Sequence, residues 1–277
     1  MNEPVTGERG KAPVPDGGPV PPAPVGEEAP EPAAGPAPPW FRAVVSDSLL
    51  GALCPLLPVP IVDDIALARM RRRMVERLAS RWEVTLTPGQ LAWLAGGGRP
   101  FSVPRFLGKA LIYPFKELLR KILYFLAIKD AVDTFSLLFH QGYLLHAALA
   151  KGFLRGPSPD DAHVWAVTTA VHGTLTATDT RPLRQLLLGV LRNSRRLVRA
   201  AVRWLGARLR RSAGGPPIAD VVAIADEAAA PPVPGSPEVE QLLDRLLLVL
   251  WGQRGYLGRL ESELDRRLGT AGQPAAG

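Results

Sequence analysis

From Phe115 to Ala150 the chain has no proline and a single glycine, Gly142, and its apolar residues recur at helical spacing. At about 100° per residue, Phe115, Leu118, Leu119, Ile122, Phe125 and Leu126 share one face, while Lys116, Glu117, Arg120 and Lys121 take the other. The second half departs from that pattern, because Lys129, Asp130 and Asp133 project onto the arc that the first half keeps apolar. Either the helix breaks near Ala127 or charge goes inside. This stretch is the core helix, or pair of helices, around which the rest must pack.

The same pattern places helices on both sides of it. Trp40 to Leu53 reads as a short helix stopped by the turn Pro55 to Pro60. Asp63 and Asp64 open the next one, where acids satisfy unpaired amides and favour the helix dipole. It runs to about Trp82, with Ile65, Ala68, Val75 and Leu78 as apolar surface. Thr87 and Pro88 cap a helix from Gly89 to Ala95, and Gly96, Gly97 and Gly98 end it. After the core stretch, Ser158 with Pro159 at the first position predicts a helix to about Val171, followed by an irregular Thr-rich stretch, Thr174 to Thr180. One long helix is expected from Pro182 to Arg211. Another starts at Ser236, Pro237 and Glu238, with Leu243, Leu247, Leu250, Leu257, Leu264 and Leu268 near a seven-residue repeat that Arg254 and Glu261 interrupt. No run shows strand alternation. The expected fold class is all-α, a multi-helix bundle.

The domain plan follows from composition. The first 39 residues hold 12 prolines and almost no large apolar side chains, so residues 1–39 are expected to form a disordered Pro/Ala/Gly-rich tail. Residues 40–212 form the helical domain and 213–235 a low-complexity linker. Residues 236–269 form a C-terminal helix packing on the body or on a partner protein, and 270–277 a disordered end. The polar start lacks the apolar core of a secretory signal. Cys54, the single cysteine, excludes an internal disulfide and fits a reducing compartment. A cytoplasmic protein, not secreted, is expected. No segment has 18 uninterrupted apolar residues, the length a spanning helix needs; Ser48 to Val62 and Thr134 to Ala150 come nearest.

Between Pro58 and Gly98 the run P-V-P-I-V-D-D, then M-R-R-R-M-V-E-R-L-A, then W-E-V-T-L-T-P-G-Q-L resembles the opening of the bacterial domain-of-unknown-function 697 family. A weaker echo is D-T-F-S-L-L-F-H-Q-G-Y-L-L-H-A-A-L-A-K-G, Asp133 to Gly152, similar to that family's T-x-x-x-G helix. The resemblance implies a helical, membrane-associated bacterial module without established catalytic residues. In place of the family's glycine-rich apolar hairpin this chain has the charged segment Pro114 to Lys121, which argues against true membrane insertion.

Charge narrows the functional classes. The formal net charge is +7, but the first 39 residues carry six acids against Arg9 and Lys11, a net −4, which leaves +11 for the rest. A balance of that kind favours an anionic partner, either a membrane surface or nucleic acid. Ten arginines and no acid lie between Arg181 and Ser212. Arg192, Arg195, Arg196, Arg199, Arg203 and Arg210 fall within one third of the helix circumference, opposite Leu191, Leu197, Val198, Val202, Trp204, Leu205 and Leu209. Arg69, Arg72 and Arg73 add basic charge on the earlier helix. These nine arginines are the candidate anionic-surface contacts.

Reaction chemistry is not signalled. The phosphate-loop, zinc-protease, nucleophile-elbow and dinucleotide fingerprints are all missing from the sequence. His140 and His146 are six apart, and His163 and His172 nine apart, registers that suit structural histidines rather than a zinc site. No cofactor and no small-molecule substrate is implied. Lys129, Asp130 and Asp133 are the candidate buried charge cluster. The simplest account pairs Lys129 with Asp133 and Asp130 with an arginine of the Arg69 to Arg81 helix; an acid/base or metal role is the alternative. Three functions therefore compete: a non-catalytic helical protein held peripherally at the cytoplasmic face of an anionic membrane, a nucleic-acid-binding protein, and a helical-bundle enzyme with an Asp130/Asp133 site.

Overall fold

The computed structural model describes residues 35–56, 62–96, 116–156, 158–212 and 236–271, and among them the chain forms nine α-helices and no strand. These are α1 (Pro39–Leu53, continued by a 3-10 turn at Cys54–Leu56), α2 (Val62–Arg81), α3 (Pro88–Leu94) and α4 (Lys116–Ala150). There follow α5 (Asp161–Ala177), α6 (Arg181–Asn193), α7 (Arg195–Ser212), α8 (Pro237–Trp251) and α9 (Arg254–Ala271). The fold class is all-α, a multi-helix bundle. The tail before Gly35, the 213–235 linker, the end after Ala271 and the expected stops at Gly97 and Gly98 lie outside the described residues. So do Phe115, the side chains of residues 62–66 (Asp63 and Asp64 among them) and 116–126, and that of Arg210.

α4 is the hub, packed against α1, α2, α5, α6 and α9. Gly142 lies against Val44 of α1 and Met74 of α2, and Gly51 of α1 lies against Leu138. With Trp40 stacked on His146, these contacts make α1 antiparallel to α4. Trp82 also meets His146, so α2 runs parallel to α4. Phe41, Phe135, Phe139, Leu138, Leu144 and Leu145 are fully buried there, each contributing roughly 1.5–3 kcal/mol of apolar burial. Thr134 to Ala150 is apolar because it is enclosed.

The helix is continuous from Lys116 to Ala150, so the break expected near Ala127 does not occur. Nor is the charge cluster buried. Lys129 is exposed and Asp130 and Asp133 are half-buried at the rim, while Ile128, Ala131, Val132 and Phe135 turn inward. Asp133 takes Arg184 of α6 as its partner, in place of the expected Lys129. A helical projection gives the angle of a side chain but not the position of the neighbouring helix edge.

Other boundaries also move. The expected single helix from Pro182 to Arg211 divides at Ser194, whose φ of −108° and ψ of 27° leave the helical region. Asn and Ser compete for backbone hydrogen bonds and favour such breaks, and Arg245 Nη1 donates to the buried Ser194 Oγ at 3.0 Å. The single C-terminal helix divides at Gly252 and Gln253, so no continuous leucine seam forms. α8 packs on α7, α1 and α6, and α9 on α5 and α4, which places this region on the body. The cap of α5 is Asp160, accepting from the His163 amide at 2.7 Å, not Ser158. α5 then continues through the expected irregular stretch to Ala177, because Thr174 Oγ1 donates back to the Ala170 carbonyl at 2.8 Å and Thr176 to the Gly173 carbonyl at 2.9 Å. Thr87 does cap α3: its Oγ1 accepts from the Gln90 amide, and Gln90 Oε1 accepts from the Thr87 amide at 2.9 Å.

Two glycines test the packing with opposite signs. A Cβ on Gly142 would sit 2.8 Å from Met74 Sδ and 2.9 Å from Val44 Cγ1, whereas one on Gly189 in α6 would meet nothing within 4 Å. Gly142→Ala should therefore destabilise by about 1–3 kcal/mol through overpacking, and Gly189→Ala should stabilise by up to about 1 kcal/mol through helix propensity. Urea unfolding of both variants checks the pair.

Candidate functional site

The apolar stripe of α6 and α7 determines where their arginines point. Leu183, Leu187, Leu191, Val198, Ala201 and Leu205 are buried against α4, α8 and α1. On the other side Arg192, Arg195, Arg196, Arg199 and Arg203 are all exposed. The break at Ser194 does not scatter them, and together they form a ridge on a stretch that contains no acid. Leu197, Val202 and Trp204 flank the ridge, partly buried against the core. At its edge, the Glu238 carboxyl of α8 is held below its usual range by the Ser236 hydroxyl first, with Arg203 a smaller influence.

The second set of candidate arginines sits on α2, against α1, α3 and α4, and is differently employed. Arg69 and Arg72 are exposed and Arg73 is half-buried. Arg72 pairs with Glu76 at 3.0 Å. Arg73 lies beside Asp47 of α1, which Arg77 binds through Nη1 at 2.8 and 3.0 Å to its two carboxylate oxygens. Asp47 is 6% exposed, and burial pushes its carboxyl up to about 6, against the opposing pull first of Arg77 and then of Arg73. This is the buried carboxylate of the described fold. The sequence signal for it was the triplet Ser46-Asp47-Ser48 inside an otherwise apolar helix.

Polar links, one of them buried, fasten α9 to α4. His140, fully buried, has Nδ1 2.5 Å from the Ser136 carbonyl and Nε2 2.6 Å from the Tyr256 hydroxyl. A carbonyl only accepts, so Nδ1 carries the proton and the tyrosine donates to Nε2. Burial holds His140 down at about 4, with the Ser136 carbonyl acting the other way. One turn on, the Tyr143 hydroxyl donates to Glu261, and Lys151 meets Asp265 at 2.6 Å. His146 stacks on Trp40 at 3.6 Å between ring centres and is lowered to about 4 by burial, then by Arg81. His163 and His172 are exposed, and His163 Nδ1 lies 2.8 Å from Asp160.

Asp130 and Asp133 do not converge on a reaction site: Asp133 is engaged by Arg184, and both face the rim. Among the described residues no group of three or more His, Cys, Asp or Glu side chains could hold a metal ion, and no helix is long and apolar enough to cross a membrane. The fold and surface define an all-α bundle carrying an arginine ridge. Comparison of the chain with family models, curated proteins and solved structures gave no match.

Two outcomes follow from these pairs. The side chains of Asp133 and Arg184 are 35% and 36% exposed, so Asp133→Asn should cost about 0–1 kcal/mol rather than the roughly 3–5 kcal/mol of a broken buried pair. The second concerns pH. Between about pH 4 and 6 the folded chain binds a proton at Asp47 more readily than the unfolded chain does, so this residue makes stability fall as pH rises; His140 does the reverse between about 4 and 6.5. Asp47→Asn should make stability climb more steeply with pH across that window, and His140→Gln should flatten it, as read from unfolding midpoints at several pH values.

Proposed function

We propose that this protein is a non-catalytic helical module that associates peripherally with the cytoplasmic face of an anionic membrane through the α6–α7 arginine ridge. The observation that carries the reading is the division of these two helices: an acid-free face of exposed arginines outside, and an apolar stripe of which Leu183, Leu187, Leu191, Val198, Ala201 and Leu205 are buried in the core. With those six side chains committed to the core, the helices meet the surface through their arginines. Adsorption is electrostatic, each arginine near the surface contributing about 1 kcal/mol, and it weakens with salt as the Debye length shrinks from about 10 Å at 0.1 M. The resemblance of Pro58 to Gly98 to a membrane-associated bacterial family points the same way. Arg69 and Arg72 are exposed on α2, where Arg72 is paired with Glu76, and Arg73 belongs to the Asp47 cluster.

Replacing Arg192, Arg195, Arg199 and Arg203 together with Gln tests the proposal. Binding to phosphatidylserine-containing vesicles at low salt should weaken by about two to three orders of magnitude, with binding to neutral phosphatidylcholine vesicles unchanged. If the parent protein ignores vesicles but binds duplex DNA with a steep salt dependence, the ridge is a nucleic-acid surface. If it binds neither, the ridge is ordinary solvated charge.

A further inference from the structure

A second line of side chains runs beside the ridge. Leu186, Val190, Leu197 and Trp204 follow one another at intervals of four, seven and seven residues, a spacing that keeps them on one flank of α6 and α7 at about 100° per residue. α6 packs against α4 and α8, and Arg184, through its pair with Asp133, marks the flank that faces α4. Leu186, two residues on, is turned about 200° from Arg184 and so belongs to the other flank, on the side of α8. Val190, Leu197 and Trp204 are half-buried there, and Leu186 is 38% exposed.

α8 borders this flank and adds to it. Arg245 Nη1 donates to Ser194 Oγ at 3.0 Å, and Arg203 acts on the Glu238 carboxyl, so α8 runs antiparallel to α7. Leu248 is three residues after Arg245, its neighbour on the same helix face, and is 77% exposed. The acid beside it, Asp244, is paired with Arg42 at 2.9 Å. At 1.5 Å per residue, Leu248 lies about 5 Å along α8 from Arg245, and Leu186 about 12 Å along α6 from Ser194. Both displacements point the same way, towards the start of α6. Of the large apolar side chains exposed among the described residues, Trp82, Trp165, Leu186 and Leu248, two therefore stand at one end of the arginine ridge. A lone exposed leucine is ordinary; these two adjoin a half-buried apolar line and an acid-free basic face.

We propose that Leu186 and Leu248 are apolar anchors of the membrane contact, entering the boundary between headgroups and acyl chains while the adjoining arginines meet lipid phosphates. This rests on the reading of the ridge as a face for an anionic membrane, and adds to it a contact that salt does not screen. Charge selects the occupant: a bilayer offers an anionic layer directly above an apolar one, the order in which arginines bordered by leucines can be satisfied. Binding of this kind grows with the apolar area buried as well as with lipid charge, and favours curved or loosely packed bilayers.

The test uses the full chain and vesicles of phosphatidylserine and phosphatidylcholine. Leu186→Gln with Leu248→Gln should weaken binding at low salt about tenfold, and should abolish the fraction that the parent protein retains on small, highly curved vesicles at about 0.5 M salt. Depth is read separately from a nitrobenzoxadiazole label at Leu248→Cys, Cys54 being buried. Its emission should shift to the blue on anionic vesicles and be quenched by lipids carrying a nitroxide on the acyl chain. Unchanged vesicle binding by the double leucine variant, or a bound protein whose label is neither shifted nor quenched, overturns the anchors and leaves the electrostatic reading of the ridge standing. A parent protein that ignores vesicles of every composition, or binds only duplex DNA, overturns both.

Discussion

The described fold depends on one requirement: the second half of α4 must be covered on every side. From Phe135 to Leu149 almost all of its side chains are buried, and so are His140, Gln141 and His146. An exposed flank would cost both apolar surface and the hydrogen bonds of those polar groups. Each polar group is met by a different element. His140 meets Tyr256 of α9, Gln141 Nε2 donates to the Leu94 carbonyl at the end of α3, and His146 stacks on Trp40 of α1. The polar positions thus act as addresses that select which helix covers which flank, while Gly142 sets how closely α1 and α2 approach.

Much of this was legible from residue order because caps and periodicity are local. Thr87, Pro88 and Gln90 specify a helix start whatever surrounds them, and the arginine spacing from Arg192 to Arg203 specifies a face. What escaped the sequence depends on partners distant along the chain. Asp47 reads as a polar gap in an apolar helix until Arg77 and Arg73 are known to lie beside it. Asp133 reads as an intruder in a core stripe until α6 brings Arg184 to the rim. The breaks at Ser194 and Gly252 were hidden because 3.6-residue spacing continues almost in phase across a kink of one or two residues. Thr174 and Thr176 looked unsuited to a helix, yet their hydroxyls satisfy themselves on the preceding turn.

The two sets of arginines show how similar residues acquire different work from their surroundings. On α2, Arg77 and Arg73 hold a carboxylate that burial would otherwise leave neutral, and their charge is largely internal to the fold. On α6 and α7 the helices give their apolar side to α4, α8 and α1, and the arginines lie on the exposed side.

The docking of α1 between α4 and α8 has a kinetic side. Arg42 reaches Glu240 and Asp244 across about two hundred residues of chain, so the sheath around α1 closes only after α8 has been synthesised. At roughly 5–20 residues per second, Phe41, whose ring meets Trp251, waits on the order of ten seconds or longer for its final cover. During that interval the start of α1 lacks its α8 neighbour, and its safe maturation falls to whatever shields it at the ribosome.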